Sequence, residues 1–135
     1  MDPSLERQVQ GIAVTRIGLG TALLLLPGPL LRLWLGRQAS TPFSRLMARS
    51  AGGRDVALGL GTLLALRHRA PVRGWLEASL LSDTSDALAV LLANRHLSRP
   101  RLVFSVAPAI ASVGYGRMLV NGVAAEAPTE TLAVP

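Results

Sequence analysis

Four apolar stretches, each bordered by arginine or proline, are the feature that most limits what this chain can fold into. They cover residues 9–26, the segment from after Ser40-Thr41-Pro42 to Leu66, residues 74–93 and residues 102–120. A helix of about 20 residues is about 30 Å long, which is the thickness of the hydrocarbon core of a bilayer. The pattern therefore predicts four helical spans.

Composition favours the same interpretation. Charged residues make up 16% of the 135 residues, against about 25% in an average soluble domain. Apolar residues make up 50%, and the mean hydropathy is +0.40. The longest uncharged runs, residues 17–31 and 102–116, have 15 residues each, fewer than the usual criterion of about 18. A soluble four-helix bundle therefore stays open as the alternative to a membrane protein.

The segments between the stretches have recognisable helix borders. Pro27-Gly28-Pro29 is expected to end the first helix, and the short amphipathic piece after it, with Trp34, suits the membrane interface. Thr41 can cap the next helix, with Pro42 in its first turn. The predicted fold is all-α, a four-helix transmembrane bundle with a short interfacial helix after the first span. Residues 1–120 form the membrane domain, and residues 121–135 form a disordered tail.

The basic residues are distributed as flanks of spans. The chain has 14 arginine and lysine residues, all of them arginine, and a net charge of +6. Many lie in three short groups between the apolar stretches: Arg32, Arg37 and Arg45; Arg67, Arg69 and Arg73; Arg95, Arg99 and Arg101. A nucleic-acid binder would concentrate them on one face or tail. We therefore expect a multi-pass protein of the cell membrane whose partners are lipid and a homo-oligomer or larger membrane complex, with no nucleic acid.

Several functional classes are disfavoured by what the sequence lacks. Without cysteine there is no thiolate metal site and no Cys nucleophile, and His68 and His96 lie 28 residues apart in loops. Aromatic residues are only 4%, too few for a large aromatic-lined cofactor pocket. We therefore predict no metal and no cofactor. Asp2 and Glu6 precede the first stretch, so we expect a retained helix rather than a cleaved secretory signal.

Ionisable residues inside the spans are the main candidates for a site. They are Arg16, Arg49, Arg54, Asp55, Asp83, Asp86 and Arg117. A charge at the bilayer centre costs several kcal/mol unless it is paired or hydrated, so these side chains should face inward. Asp83 and Asp86 are three residues apart and share one helix face. Arg54 or Arg16 can supply the opposite charge, and Asp55 completes the predicted polar cluster.

Two interpretations of this cluster remain open. In the first, which we favour, the charges form an ion-pair network that fixes helix order in a protein of structural or accessory role. In the second, Asp83 and Asp86 are an acid/base pair, because repulsion between two close carboxylates favours protonation of one. The protein would then be an intramembrane enzyme acting on a lipid-like or isoprenoid substrate, with Arg54 holding an anionic or carbonyl group, or a small proton-coupled carrier.

Small residues recur at spacings that allow helices to approach closely. In the first span Gly11, Thr15, Gly18 and Ala22 repeat every three or four residues, and Gly52, Gly59 and Gly61 add such positions in the second. Small residues on one face let backbones pack together in membranes. We therefore expect both groups at helix–helix contacts.

The second and third spans carry a recognisable pattern. Arg54-Asp55 is followed by Ala57-Leu58-Gly59, and Asp83 and Asp86 form a later Asp-x-x-Asp. Over about half of the chain this resembles small four-helix membrane proteins of high-GC bacteria that are classed as a domain of unknown function. The resemblance implies a four-span bundle and a shared site at Arg54, Asp55, Asp83 and Asp86, with no established activity.

Overall fold

A computed structural model describes residues 1–36, 40–92 and 99–126, and these contain helices and no strand. The helices are α1 (Pro3–Leu25), α2 (Pro27–Leu35), α3 (Pro42–Arg67), α4 (Arg73–Leu92) and α5 (Arg99–Ala125). The prediction of an all-α fold is confirmed. The connection at residues 93–98, which includes His96, lies outside the described residues.

The helix borders follow the local sequence. The Leu26 N–H donates to the Ala22 carbonyl at 2.8 Å, and Pro27 then occupies the first turn of α2. Proline has no N–H to lose there, so the Pro-Gly-Pro segment both ends α1 and begins α2. At α3 the Ser44 N–H donates to Thr41 Oγ1 at 3.1 Å, and the Thr41 N–H donates to Ser44 Oγ at 2.8 Å. Thr41 is therefore the predicted cap, within a reciprocal capping box.

The last helix extends further than the sequence suggested. Residues 121–125, which we assigned to the disordered tail, belong to α5. Val123 packs against the apolar core, and beyond the helix Glu126 accepts the Asp2 N–H on both carboxylate oxygens, at 3.0 and 2.9 Å. These contacts to the beginning of the chain explain why the helix continues. The rest of the predicted tail lies outside the described residues.

Helices α1 and α3 pack closest to each other, and α4 packs against α5. A Cβ on Gly20 would lie 2.5 Å from the Gly52 carbonyl oxygen, and a Cβ on Gly59 would lie 2.6 Å from the Ala13 carbonyl oxygen. The earlier residue of α1, Ala13, meets the later glycine of α3, Gly59, and the later residue, Gly20, meets the earlier glycine, Gly52. Helices α1 and α3 are therefore antiparallel. Both glycines of α3 had been predicted at a contact, and backbone-to-backbone packing of this kind requires them.

The small-residue repeat predicted in α1 does not form its packing face. A Cβ on Gly11 or on Gly18 would have nothing within 4 Å, and Thr15 is exposed. The small residues of α1 that contact α3 are instead Ala13 and Gly20, beside the larger Ile17 and Leu23. Ala13 and Gly20 are seven residues apart, which is two helical turns, and this spacing matches the separation of Gly52 and Gly59 on the opposite helix.

The interior is small and partly charged, whereas large apolar side chains face outward. Within the described residues, Val9 and Leu119 are the largest side chains that are fully buried. Leu33 is 84% exposed and Phe43 is 70% exposed, and every helix carries such residues. Exposure of this kind along whole helices is unusual in a monomeric soluble protein.

Helix α1 is long and apolar enough to cross a membrane, and it is the one described helix that meets both criteria. A single such helix near an N-terminus is weak evidence for a membrane protein, since core helices and signal sequences share these properties. Helices α3 and α4 have sufficient length, with 26 and 20 residues, but they carry the charged residues considered next.

Candidate functional site

Five charged side chains from three helices form a row of alternating sign, which we call the ionic ladder. In spatial order it consists of Asp83 of α4, Arg16 of α1, Asp55 and Arg54 of α3, and Asp86 of α4. All five had been singled out from the sequence. The structure brings them into one connected network, in which each arginine lies between two carboxylates.

Arg16 organises the inner end of the ladder. Its Nη1 donates to Asp55 Oδ1 at 3.1 Å, and its Nη2 donates to Asp83 Oδ2 and to the Ser79 carbonyl, the latter at 3.5 Å. Arg16 and Asp83 are each only 9% exposed. A buried charge is tolerated only when it is paired and hydrogen-bonded, and this geometry meets that condition. Arg16 thus joins α1 to both α3 and α4.

Arg54 organises the outer end. Its two Nη atoms donate to the two carboxylate oxygens of Asp86, at 3.2 and 2.6 Å, and Nη2 lies 3.6 Å from Asp55 Oδ1. The planar guanidinium matches a carboxylate in this two-point geometry. The side chains are 36% exposed for Arg54 and 53% exposed for Asp86. The ladder therefore runs from a buried end to an open end.

The close approach of α1 and α3 explains why Arg16 reaches Asp55. Arg16 lies between Ala13 and Gly20 on α1, and Asp55 lies between Gly52 and Gly59 on α3. The two glycine contacts bring the backbones together on either side of this pair. The salt bridge thus forms where the helices are closest.

The predicted acid/base pair is divided between two partners. Asp83 binds Arg16, whereas Asp86 binds Arg54. The repulsion between them, on which the catalytic interpretation depended, is offset by a guanidinium at each carboxylate. With three carboxylates and two arginines the ladder has a formal charge of −1.

The space beside the inner end is very small. A cavity of about 10 Å³ is lined by Arg16, Asp83, Ser79 and Thr62, among others. A volume of this size holds about one water molecule. Within the described part of the chain, three buried polar atoms lack a hydrogen-bond partner: Arg16 Nε, Arg54 Nε and Ser82 Oγ. Buried groups of this kind are commonly satisfied by internal water. The inner end of the ladder has room for water but not for an organic substrate.

Two other predicted intramembrane charges do not join the ladder. Arg49 is exposed and its Nε donates to the Leu24 carbonyl at 3.2 Å, and Arg117 is exposed on α5. Glu77, near the beginning of α4, pairs with Arg73 at 2.7 Å. Arg49 and Arg117 lie about two helical turns from an end of their helices, and a long arginine side chain can extend from there beyond the packed interior.

The described part of the chain contains no group of three or more His, Asp or Glu side chains arranged to hold a metal ion. Each ladder carboxylate forms a salt bridge with a guanidinium group. Comparison with known proteins adds no assignment: no protein-family model, no curated protein and no solved structure matches this chain.

Proposed function

We propose that this chain is a small multi-pass membrane protein of structural or accessory role, in which the ionic ladder fixes the arrangement of α1, α3 and α4. One observation carries the proposal: charged Arg16 and Asp83 are buried, whereas large apolar side chains such as Leu33 and Phe43 are exposed. This distribution is unfavourable in water and favourable in lipid, where paired charges belong inside and apolar groups outside.

Helix length and the depth of the ladder support four spans, namely α1, α3, α4 and α5, with α2 at the interface. The four helices have 23, 26, 20 and 27 residues, each enough for about 30 Å of hydrocarbon. Arg16, Asp55 and Asp83 each lie near the middle of their own helix. The ladder would then lie near the bilayer centre, where pairing matters most.

The packing around Asp83 favours a structural role over catalysis. An acid/base enzyme or a carrier would require a substrate to approach this carboxylate. The adjoining cavity has a volume of about 10 Å³, and the Asp83 carboxylate is already paired with Arg16. The ladder is therefore best explained as a brace between helices. The resemblance to four-helix membrane proteins of high-GC bacteria fits this proposal, because the residues that carry it, Arg54, Asp55, Asp83 and Asp86, all belong to the ladder.

The open end of the ladder favours self-association. Arg54 and Asp86 are substantially exposed at mid-helix, where contact with hydrocarbon would be costly. Because each copy presents one positive and one negative group side by side, a twofold axis can place Arg54 of one copy against Asp86 of the next. A single cysteine at the exposed Ala89 should form an intermolecular disulfide in membranes. Monomer alone under oxidising conditions would contradict the dimer.

Topology mapping tests the proposed span number. The chain has no cysteine, so single cysteines at Ala39, Ala70 and Leu97 have no background. In intact cells, a membrane-impermeant maleimide should label positions 39 and 97 alike and position 70 oppositely. Equal labelling at all three positions, together with recovery of the protein in the soluble fraction, would overturn the proposal.

A further inference from the structure

A groove at one end of the bundle combines an apolar floor with a cationic rim. It has a volume of about 770 Å³ and is bounded by the turn between α3 and α4, the beginning of α1 and the end of α5. Leu66, Val72 and Val123 line it, and all three belong to the apolar core cluster or pack against it. The groove thus exposes one end of the core.

Arginines surround this apolar floor. Arg67, Arg69 and Arg73 all line the groove. Arg73 is paired with Glu77, while Arg67 and Arg69 are exposed and form no ion pair among the described residues. These two guanidinium groups are therefore available to an external anion.

The acidic residues of the groove only partly offset this charge. The Glu126 carboxylate is occupied by the Asp2 N–H and by the N-terminal ammonium group, 3.6 Å away. Glu6 is the other carboxylate that lines the groove. Two available arginines thus face one carboxylate, which leaves the rim positive.

The turn at the end of α3 fixes the position of these arginines. The Arg69 N–H donates to the Leu66 carbonyl at 3.1 Å, and the Ala70 N–H donates to the Ala65 carbonyl at 2.9 Å. This is the Schellman arrangement, and Arg69 occupies its left-handed position with φ of 53°. The backbone that carries the rim is therefore held by hydrogen bonds.

We propose that this groove binds one anionic phospholipid, with the phosphate diester at Arg67 and Arg69 and the beginning of an acyl chain on Leu66, Val72 and Val123. The argument is charge complementarity at the edge of an apolar surface, since basic pockets between helices recognise anionic headgroups in this way. Trp75 lies in the first turn of α4, two residues after Arg73, and is 40% exposed, as expected for an aromatic residue at the membrane interface. The choice of a lipid over another phosphate-bearing molecule rests on the proposed membrane location.

Native mass spectrometry of the full chain in neutral detergent tests the proposal, with phosphatidylglycerol as the probe and phosphatidylcholine as the zwitterionic comparison. Wild type should retain one phosphatidylglycerol in preference to phosphatidylcholine. The double variant R67Q/R69Q should weaken that binding by about 30-fold, at about one kcal/mol for each arginine.

The matched control is R32Q/R117Q, which removes the same charge from two exposed arginines outside the groove. It should leave lipid binding unchanged, and circular dichroism should show that both double variants remain folded. Equal weakening of lipid binding in both variants would show that net charge alone causes the effect, and it would contradict a binding site at this groove. Equal retention of the two lipids would overturn headgroup recognition.

Two further outcomes separate this proposal from the membrane assignment. Complete displacement of phosphatidylglycerol by inorganic phosphate would mean that the site binds a free anion, which contradicts lipid binding. Carbonate extraction of cell membranes tests the location independently. If R67Q/R69Q stays in the membrane but loses the lipid preference, both proposals stand. If wild type is extracted yet shows the preference, only the membrane assignment fails.

Discussion

Gly20 and Gly52 place the backbones of α1 and α3 in direct contact: a Cβ on either residue would lie 2.5 Å from the carbonyl oxygen of the other. This contact holds Arg16 beside Asp55, and so the second and third charges of the ladder meet between the two glycine contacts. Packing and electrostatics are therefore coupled, and each can be tested separately.

Substitution at this contact should be costly, whereas substitution at a glycine that faces away from α3 should not. Gly52→Ala places a methyl group against backbone that cannot move aside, so we expect the free energy of unfolding to fall by about 1–3 kcal/mol. Gly18→Ala is the matched control, because a Cβ there meets nothing within 4 Å. It should be neutral or stabilising by up to about 1 kcal/mol, since alanine is the better helix former. Thermal unfolding in detergent measures both, and equal destabilisation would refute the close contact.

The two ladder carboxylates of α4, Asp83 and Asp86, should differ in their contribution to stability. Asp83→Asn removes one of the two carboxylates that hold the buried Arg16, and we expect a loss of about 3 kcal/mol or more. Asp86→Asn affects the more exposed pair with Arg54, and its cost should be smaller than that of Asp83→Asn. Chemical unfolding in detergent gives both values. An unchanged free energy of unfolding for Asp83→Asn would rule out the structural role of the ladder.

Replacing Arg69 should raise the stability of the fold in one variant but weaken the proposed lipid binding in every variant. The residue has a left-handed backbone, which costs about 1–2 kcal/mol for a residue with a Cβ. Arg69→Gly should therefore raise the free energy of unfolding by about 1 kcal/mol while weakening phosphatidylglycerol binding. Arg69→Ala removes the same guanidinium but keeps the Cβ, so it should weaken binding with no gain in stability. If both variants were equally stable, backbone strain would not explain the gain.

Asp2 should make the beginning of α1 sensitive to acid. Hydrogen bonds from the Ser4 side chain and backbone hold the pKa of Asp2 below its ordinary value of 3.8. A lowered pKa in the folded state means that the cap is fully formed above about pH 4. Its contribution is lost as the pH falls through the lower, folded value.

The amide chemical shift of Ser4, followed by NMR between pH 6 and pH 2, should report this titration. The variant Asp2→Asn keeps an acceptor oxygen but has no carboxyl group at this position. The amide chemical shift of Ser4 in that variant should therefore not titrate in this range. Glu126 accepts the Asp2 N–H and is a second carboxylate beside this cap, and Glu126→Gln removes it so that the response of Asp2 is observed alone. A midpoint at or above 3.8 in that variant would contradict the lowered pKa.

Local chemistry made much of the fold predictable. Thr41 and Pro42 mark the beginning of α3 because capping and proline placement depend on adjacent residues alone. The same holds for the short helix α2, which begins with the Pro-Gly-Pro segment. The five ladder residues were also identifiable, because charges inside apolar stretches must find partners wherever the helices go.

The sequence by itself determined that the described residues are helical, where most helices begin and end, and which side chains carry the interior charge. Only the tertiary structure decided that Arg16 joins Asp83 to Asp55, that Arg54 takes Asp86, and that Gly20 rather than Gly18 meets α3. Helix formation depends on neighbours a few residues away, whereas these choices depend on how the helices are rotated and aligned. That alignment is set by packing between segments about 30 to 70 residues apart, which no local pattern records.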